Sequence, residues 1–301
     1  MPILLEEDLR RPLPKMYRVR QQFDETCLTD IEGTVRRELA KSEICALVKP
    51  GMRVAVGVGS RGIQNLSCIV ETTVKGLKEL GAKPFIVSAM GSHGGGTEEG
   101  QREVLAGYGV TEERLGVPVV TTVDTVHLGD CANGRPVWFD RAAYEADLIV
   151  PINRVKLHTD FVGPIQSGLC KMLVIGLGNH KGCSAVHEEA PEVFADVIEE
   201  TARLILKKAP IGFGIAILEN AYDKTYAVEA VPAEGLIERE KELVQIARGN
   251  MPYIMLDEAD VIVCDEIGKD VSGAGFDPNI LGRSSVLKKF VLHIPKYQRL
   301  V

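Results

Sequence analysis

Imidazole, amine and guanidinium groups that could transfer protons or hold anions gather in a few short segments. Six histidines occur, at 93, 127, 158, 180, 187 and 293. His93 stands in Gly91-Ser92-His93-Gly94-Gly95-Gly96, and His158 closes Asn153-Arg154-Val155-Lys156-Leu157-His158. An imidazole titrates near neutrality, so histidines in loops are candidates for acid–base work. His158, His180 and His187 share one glycine-rich, mostly uncharged stretch with Lys171, which lies between apolar neighbours in Ser167-Gly168-Leu169-Cys170-Lys171-Met172-Leu173. A lysine so placed either snorkels out of a helix or is held near a pocket, where burial lowers its pKa and makes it a nucleophile or covalent anchor. His180 and His187 are candidate metal ligands, although their spacing fits no standard zinc pattern. His127 and His293 read as surface or satisfied core residues. Ser60-Arg61, next to Gly59 and Gly62, is a candidate anion site, because glycines let backbone N–H groups approach a phosphate.

The elements that must position these residues alternate strand, loop and helix. Strands are expected at Met52–Val58, Pro84–Ser88, Val117–Thr122, Ala146–Pro151, Ile211–Leu218 and Ala259–Asp265. Helices are expected at Leu66–Leu80, Thr97–Gly107 with Thr97 as N-cap, Pro191–Lys208 and Val231–Arg248. Short apolar strands alternating with helices imply an α/β fold with a mostly parallel sheet covered on both faces. Ligands in such sheets bind beyond the carboxyl ends of the strands. The loops Gly59–Gly62, Gly91–Gly96, Asn153–His158 and Gly268–Gly275 each follow an expected strand and each carry a cation or imidazole. They are therefore expected on one edge.

Composition bounds the function. The 301 residues carry 35 Lys and Arg against 42 Asp and Glu, a net charge of −7. An acidic balance argues against nucleic acid as the main partner, since phosphate binding needs clustered cations. No apolar run reaches the roughly 18 residues of a membrane span, and the start, MPILLEEDLRRPLP, does not read as an export signal. The seven cysteines are scattered and never form CxxC, which fits reduced cysteines in a cytoplasmic protein better than a disulfide framework or iron–sulfur site.

In order and spacing, Ser60-Arg61, Gly91-Ser92-His93 with Thr97-Glu98-Glu99 behind it, His158, Lys171 and His187 resemble the lactate racemase family, over about residues 53–283. The resemblance implies a racemase or epimerase that inverts C2 of a 2-hydroxy acid by reversible hydride transfer to a nickel-pincer nucleotide, a pyridinium thioamide/thiocarboxylate mononucleotide. It further implies Arg61, beside Ser60, for the nucleotide phosphate, Lys171 for covalent attachment and His187 for nickel, with His180 as second choice. His93 and His158 become the proton-transfer pair. Lys269 and Arg283 are candidates for the substrate carboxylate. Cofactor-maturation enzymes would be partners of such a protein.

The chain departs from that pattern at Val58, where the family has an acid, and at Gly94, where lactate racemases have an arginine. It departs again after Phe276–Arg283, where a glutamine and a lysine are missing. These changes point away from lactate towards another 2-hydroxy acid, such as a sugar acid. Residues 1–255 are expected to form the α/β domain with the cofactor and catalytic residues, and 256–301 the beginning of a second α/β domain. Family chains continue for about another hundred residues, a domain of ordinary size. Competing readings are a metal-dependent hydrolase, with Glu188 and Glu189 beside His187, and a non-catalytic cofactor-binding protein. An iron–sulfur-associated protein, suggested by Lys156-Leu157-His158 and Gly168-Leu169-Cys170-Lys171, lacks the cysteine clusters it would need.

Overall fold

A computed structural model describes residues 15–268, 272, 275–282 and 296–301, together with residues 6, 7, 10 and 12. Six strands form one sheet: β1 (Arg53–Val58), β2 (Lys83–Ser88), β3 (Val119–Val120), β6 (Leu148–Arg154), β7 (Phe213–Glu219) and β8 (Thr225–Pro232). Their spatial order is β3-β2-β1-β6-β7-β8. The first five run parallel, and β8 returns antiparallel to β7. The fold is α/β with a mostly parallel sheet, as the alternating pattern implies.

The strands alternate their side chains between two apolar layers. Val54, Val56 and Val58 of β1 pack on one face, with Ile152 of β6 and Ile215 and Ile217 of β7. Ala55 points to the other face, with Phe85, Val87, Ile149, Ala216 and Leu218. The first layer is covered by the helices Ile31–Leu39, Leu66–Glu79 and Glu98–Gly107, the second by Phe194–Lys208 and Leu236–Asn250. Burial on both faces explains why the strands read as continuous apolar runs.

Several boundaries shift. Residues 225–232 of the segment around Val231 form β8, so the helix begins only at Leu236. Pro191–Val193 is a 3₁₀ turn, and the α-helix proper starts at Phe194. A hairpin of β4 (Thr125–Asp130) and β5 (Pro136–Asp140) was not anticipated. The strand expected at Ala259–Asp265 is β9 (Glu258–Ile262). It pairs with β10 (Lys296–Leu300) in a separate two-stranded parallel sheet. The Gly268–Gly275 loop therefore follows a strand of the separate sheet rather than of the main one, although its Ser272 lines the same cavity as the other three loops.

Ile152 of β6 is fully buried at the sheet centre, in register with Val58 of β1 and Ile215 of β7. Ile152→Ala is expected to destabilise the chain by about 2–5 kcal/mol, read as a lowered midpoint in guanidinium unfolding.

Candidate functional site

The sheet reverses its winding between β1 and β6, which are neighbours though far apart in sequence. A crevice opens at such a switch point beyond the carboxyl ends of the strands. A cavity of about 640 Å³ occupies this position. Gly59, Ser60 and Arg61 after β1, Ser92 and His93 after β2, and Asn153, Arg154, Lys156 and His158 at the end of β6 line it. Lys171, Cys183 and His187 complete the wall. Six of the eight sequence-assigned residues, Ser60, Arg61, His93, His158, Lys171 and His187, thus share one cavity. Lys269 and Arg283 lie outside the described residues. His180 lines a different groove, with Trp138 and Arg135. Of the candidate metal ligands only His187 faces the cavity.

The His93 loop is held from below. Ser88 Oγ donates to Gln101 Oε1 at 2.6 Å, and Gln101 Nε2 donates to the carbonyls of Gly91 and His93. Gly91 N donates to Gly176 O at 3.0 Å, which ties this loop to the segment carrying Lys171. At Gly91, φ is +59°, and a Cβ would lie 3.0 Å from Ile175 O, so the close approach requires glycine. Gly94 also has a positive φ, and a Cβ there would lie 2.7 Å from Gln101 N. An arginine at this position would displace the start of the next helix. Ser60 Oγ forms a short hydrogen bond with His93 Nδ1, and Tyr108 donates its hydroxyl to Ser60 O.

Lys171 ends a short helix, Leu169–Lys171, that continues into a π-helical turn, Met172–Gly176. Such turns cluster at functional sites. Asn153 Nδ2 donates to Gly168 O at 2.8 Å, and the fully buried Glu240 accepts the N–H of Cys170 at 2.9 Å. A carboxylate at the exposed N–H groups of a helix start is electrostatically favourable. Burial nevertheless pushes the Glu240 carboxyl up to about 7, opposed by the Cys170 and Leu169 N–H groups. Its Oε1 has no hydrogen-bond partner.

Lys171 Nζ lies 2.6 Å from His158 Nε2. His158 Nδ1 accepts the backbone N–H of Asp160 at 3.0 Å. A neutral imidazole has one acceptor nitrogen, so with Nδ1 engaged the proton sits on Nε2. Nε2–H then donates to Lys171 Nζ, which must be the uncharged amine. Burial, then the charges of Arg61 and Lys156, lower Lys171 to about 8, which brings the amine form within reach just above neutrality. Burial, then Lys171 and Lys156, push His158 far below its ordinary range. His158 stacks on Phe161, with ring centroids 4.2 Å apart, Phe161 contacts Phe194, and Phe194 meets His187 edge-on.

His187 ends the helix Asn179–His187. Its Nδ1 lies 2.7 Å from Cys183 O and 3.5 Å from Cys183 Sγ. A carbonyl only accepts, so Nδ1 carries a proton, and in the neutral ring Nε2 keeps its lone pair. A hydrogen bond from the other ring nitrogen orients a metal-ligating histidine in this way. The Cys183 side chain raises His187 above its usual pKa. Among the described residues no three His, Cys, Asp or Glu side chains converge on a point that could hold a metal ion. The three-ligand centre that a zinc hydrolase needs has no counterpart there.

A model of the family described as the lactate racemase N-terminal domain matches residues 13–195, more than half of the chain. The chain belongs to the lactate racemase N-terminal domain family. Among solved structures, the lactate racemase apoprotein from Thermoanaerobacterium thermosaccharolyticum is similar, with a TM-score of 0.58 at 16% identity. The match covers 79% of this chain and 60% of that one, so the present chain spans about three-fifths of its length. At this identity the likeness shows the shared fold. No curated protein matches. Among the described residues no helix is long and apolar enough to cross a membrane.

Sequence reasoning passed over several members of this site. Lys156 lies two residues before His158, a spacing that shares a face in extended chain. Glu240 falls on the apolar stripe Leu236, Ile237, Leu243, Val244, Ala247, where a charged residue is itself a signal. Cys183 and Tyr108 carry no such mark.

Two expectations follow. Trace acetylation across a pH series, read by mass spectrometry, should give Lys171 a reactivity midpoint near 8 rather than the ordinary 10.5. Glu240 has a folded pKa above its unfolded value of 4.5, so the folded chain binds this proton more tightly. The resulting stability is complete below about 4.5 and lost as pH rises through about 7. Glu240→Gln should flatten that part of the stability profile, checked by urea midpoints across the same range.

Proposed function

We propose that this chain is an isomerase, a racemase or epimerase that inverts C2 of a 2-hydroxy acid with a nickel-pincer nucleotide. The observation that carries the reading is the convergence of Ser60, Arg61, His93, His158, Lys171 and His187 on one cavity at the switch point. Family membership supports it. The residues fit the cofactor. Lys171 presents, against His158, an amine whose pKa is lowered to about 8, and the free amine is the form a covalent bond requires. His187 orients Nε2 through its Nδ1–H bond to Cys183 O. The nucleotide brings its own donor atoms, so a three-residue cage is not needed. Arg61 would hold the phosphate. When bound, this group supplies a hydride acceptor, which no side chain can be.

The protein's own part is to hold the substrate and move the hydroxyl proton. The C–H of a 2-hydroxy acid is too weakly acidic for an imidazole to deprotonate, so the bases act on oxygen. Inversion needs one base on each side, and His93 and His158 stand on separate loops of the cavity. Ser60 orients the His93 ring through its hydrogen bond to Nδ1. His158 donates to Lys171 while that amine is free. With Lys171 Nζ bonded to the nucleotide, that nitrogen would no longer accept the proton, which would leave His158 to the substrate. We read residues 1–255 as the part that carries these groups, and 256–301 as belonging to a second domain. Cytoplasmic residence and partnership with maturation enzymes follow from the same reading.

The test is expression with the cofactor-maturation enzymes, followed by metal analysis, intact mass and chiral analysis of lactate and sugar acids. One nickel and one nucleotide adduct per chain are expected, and Lys171→Ala should lose the adduct. His93→Ala should lower turnover by about 10²-fold or more. Absence of both nickel and adduct from the wild-type chain would sink the reading.

A further inference from the structure

The cavity holds more positive charge than these roles use. Arg61, Arg154, Lys156 and Lys171 all line it. Arg154 is neutralised by a short ion pair with Glu219, and Lys171 is engaged by His158. The acid that acts most on Lys156 is Asp277, and its Oδ1 already accepts from the backbone and side-chain N–H groups of Asn279. Among the described residues neither Arg61 nor Lys156 forms an ion pair or a side-chain hydrogen bond. With Arg61 assigned to a phosphate, one ammonium in the cavity has no ion-pair partner among the described residues.

The position of Lys156 suits one kind of anion. Its backbone exchanges both hydrogen bonds with Ser167, at 2.8 and 3.1 Å, so the base of the side chain is fixed. The side chain stays accessible to solvent, yet burial and the neighbouring Arg154 lower its pKa below the ordinary lysine range. Lys156 and His158 are separated by two residues of near-extended chain, about 7 Å. In a 2-hydroxy acid the carboxylate carbon is bonded directly to the carbon that bears the hydroxyl. Whatever grips the carboxylate must therefore sit within a few ångströms of the base that faces the hydroxyl.

We propose that Lys156 is the carboxylate anchor of this cavity, a substrate-binding residue that takes the C1 carboxylate of a small hydroxy acid beside His158. The hydroxy-acid identity of the ligand rests on the racemase reading. The carboxylate site itself does not, because it needs neither nickel nor nucleotide.

The experiment is calorimetric titration of the 301-residue chain, cofactor-free and cofactor-loaded, with oxalate and with inorganic phosphate. Lys156→Met should weaken oxalate binding by about tenfold or more, the loss expected for one charge-assisted hydrogen bond. Phosphate affinity should stay within about twofold, and Lys156→Arg should recover most of the oxalate affinity. Added salt should weaken oxalate binding to the wild type and much less to Lys156→Met. Unchanged thermal unfolding of the variant excludes a folding defect. Oxalate affinity equal in Lys156→Met and wild type would overturn the proposal, as would a wild-type chain that binds no oxalate. The two readings separate cleanly. Lys156-dependent oxalate binding without racemisation of any hydroxy acid leaves the anchor standing and removes the racemase. Racemisation by Lys156→Met with unchanged KM does the opposite.

Discussion

The parallel pairing of β1 with β6 organises this molecule. Val58 stands in register with Ile152, so the loop carrying Ser60 and Arg61 and the segment carrying Lys156 and His158 leave the sheet side by side. Neither loop alone makes a site. Because the chain crosses to β2 on one side and to β7 on the other, a gap opens between them, and the cavity lies there. The core on both faces exists to hold these two strands in place, and the glycine contact of Gly91 with the π-helical turn locks the third loop onto them.

Crowding cations into such a crevice has a chemical consequence. Burial, then the charges of Arg61 and Lys156, disfavours protonation of Lys171, and burial with the charges of Lys171, Lys156 and Arg61 disfavours that of His158. The least expensive way to relieve the repulsion is to leave Lys171 as an amine and His158 as a neutral ring, the state in which their 2.6 Å contact makes sense. The same field that suppresses the lysine's charge attracts anions. Nucleophile and anion site are therefore two results of one electrostatic arrangement.

The departures from the family pattern have visible physical causes. Val58 is fully buried in the apolar layer under the sheet, a poor place for an acid. Gly94 sits against the first turn of the following helix, where no larger residue fits without movement. The cavity wall therefore offers hydroxyl, amide and ammonium groups from Ser60, Ser92, Asn153 and Lys156 in place of that arginine.

Much of this was legible without coordinates. The period of the apolar residues determined the parallel α/β sheet, because strands buried on both faces must be apolar throughout. Glycine beside histidine or cation after a strand marked His93, Arg61 and His158, because such loops end at the binding edge. Periodicity could not separate β8 from the helix behind it, since both bury apolar residues at close spacing. It could not decide between His180 and His187, because only the rotation of their shared helix puts one in the cavity and the other in the groove beyond. Nor could it reveal the burial of Glu240 beneath the lysine's helix, the tautomer of His158 or the place of Lys156 on the cavity wall. Those depend on which groups meet across the fold, and local sequence carries no record of partners brought together from far along the chain.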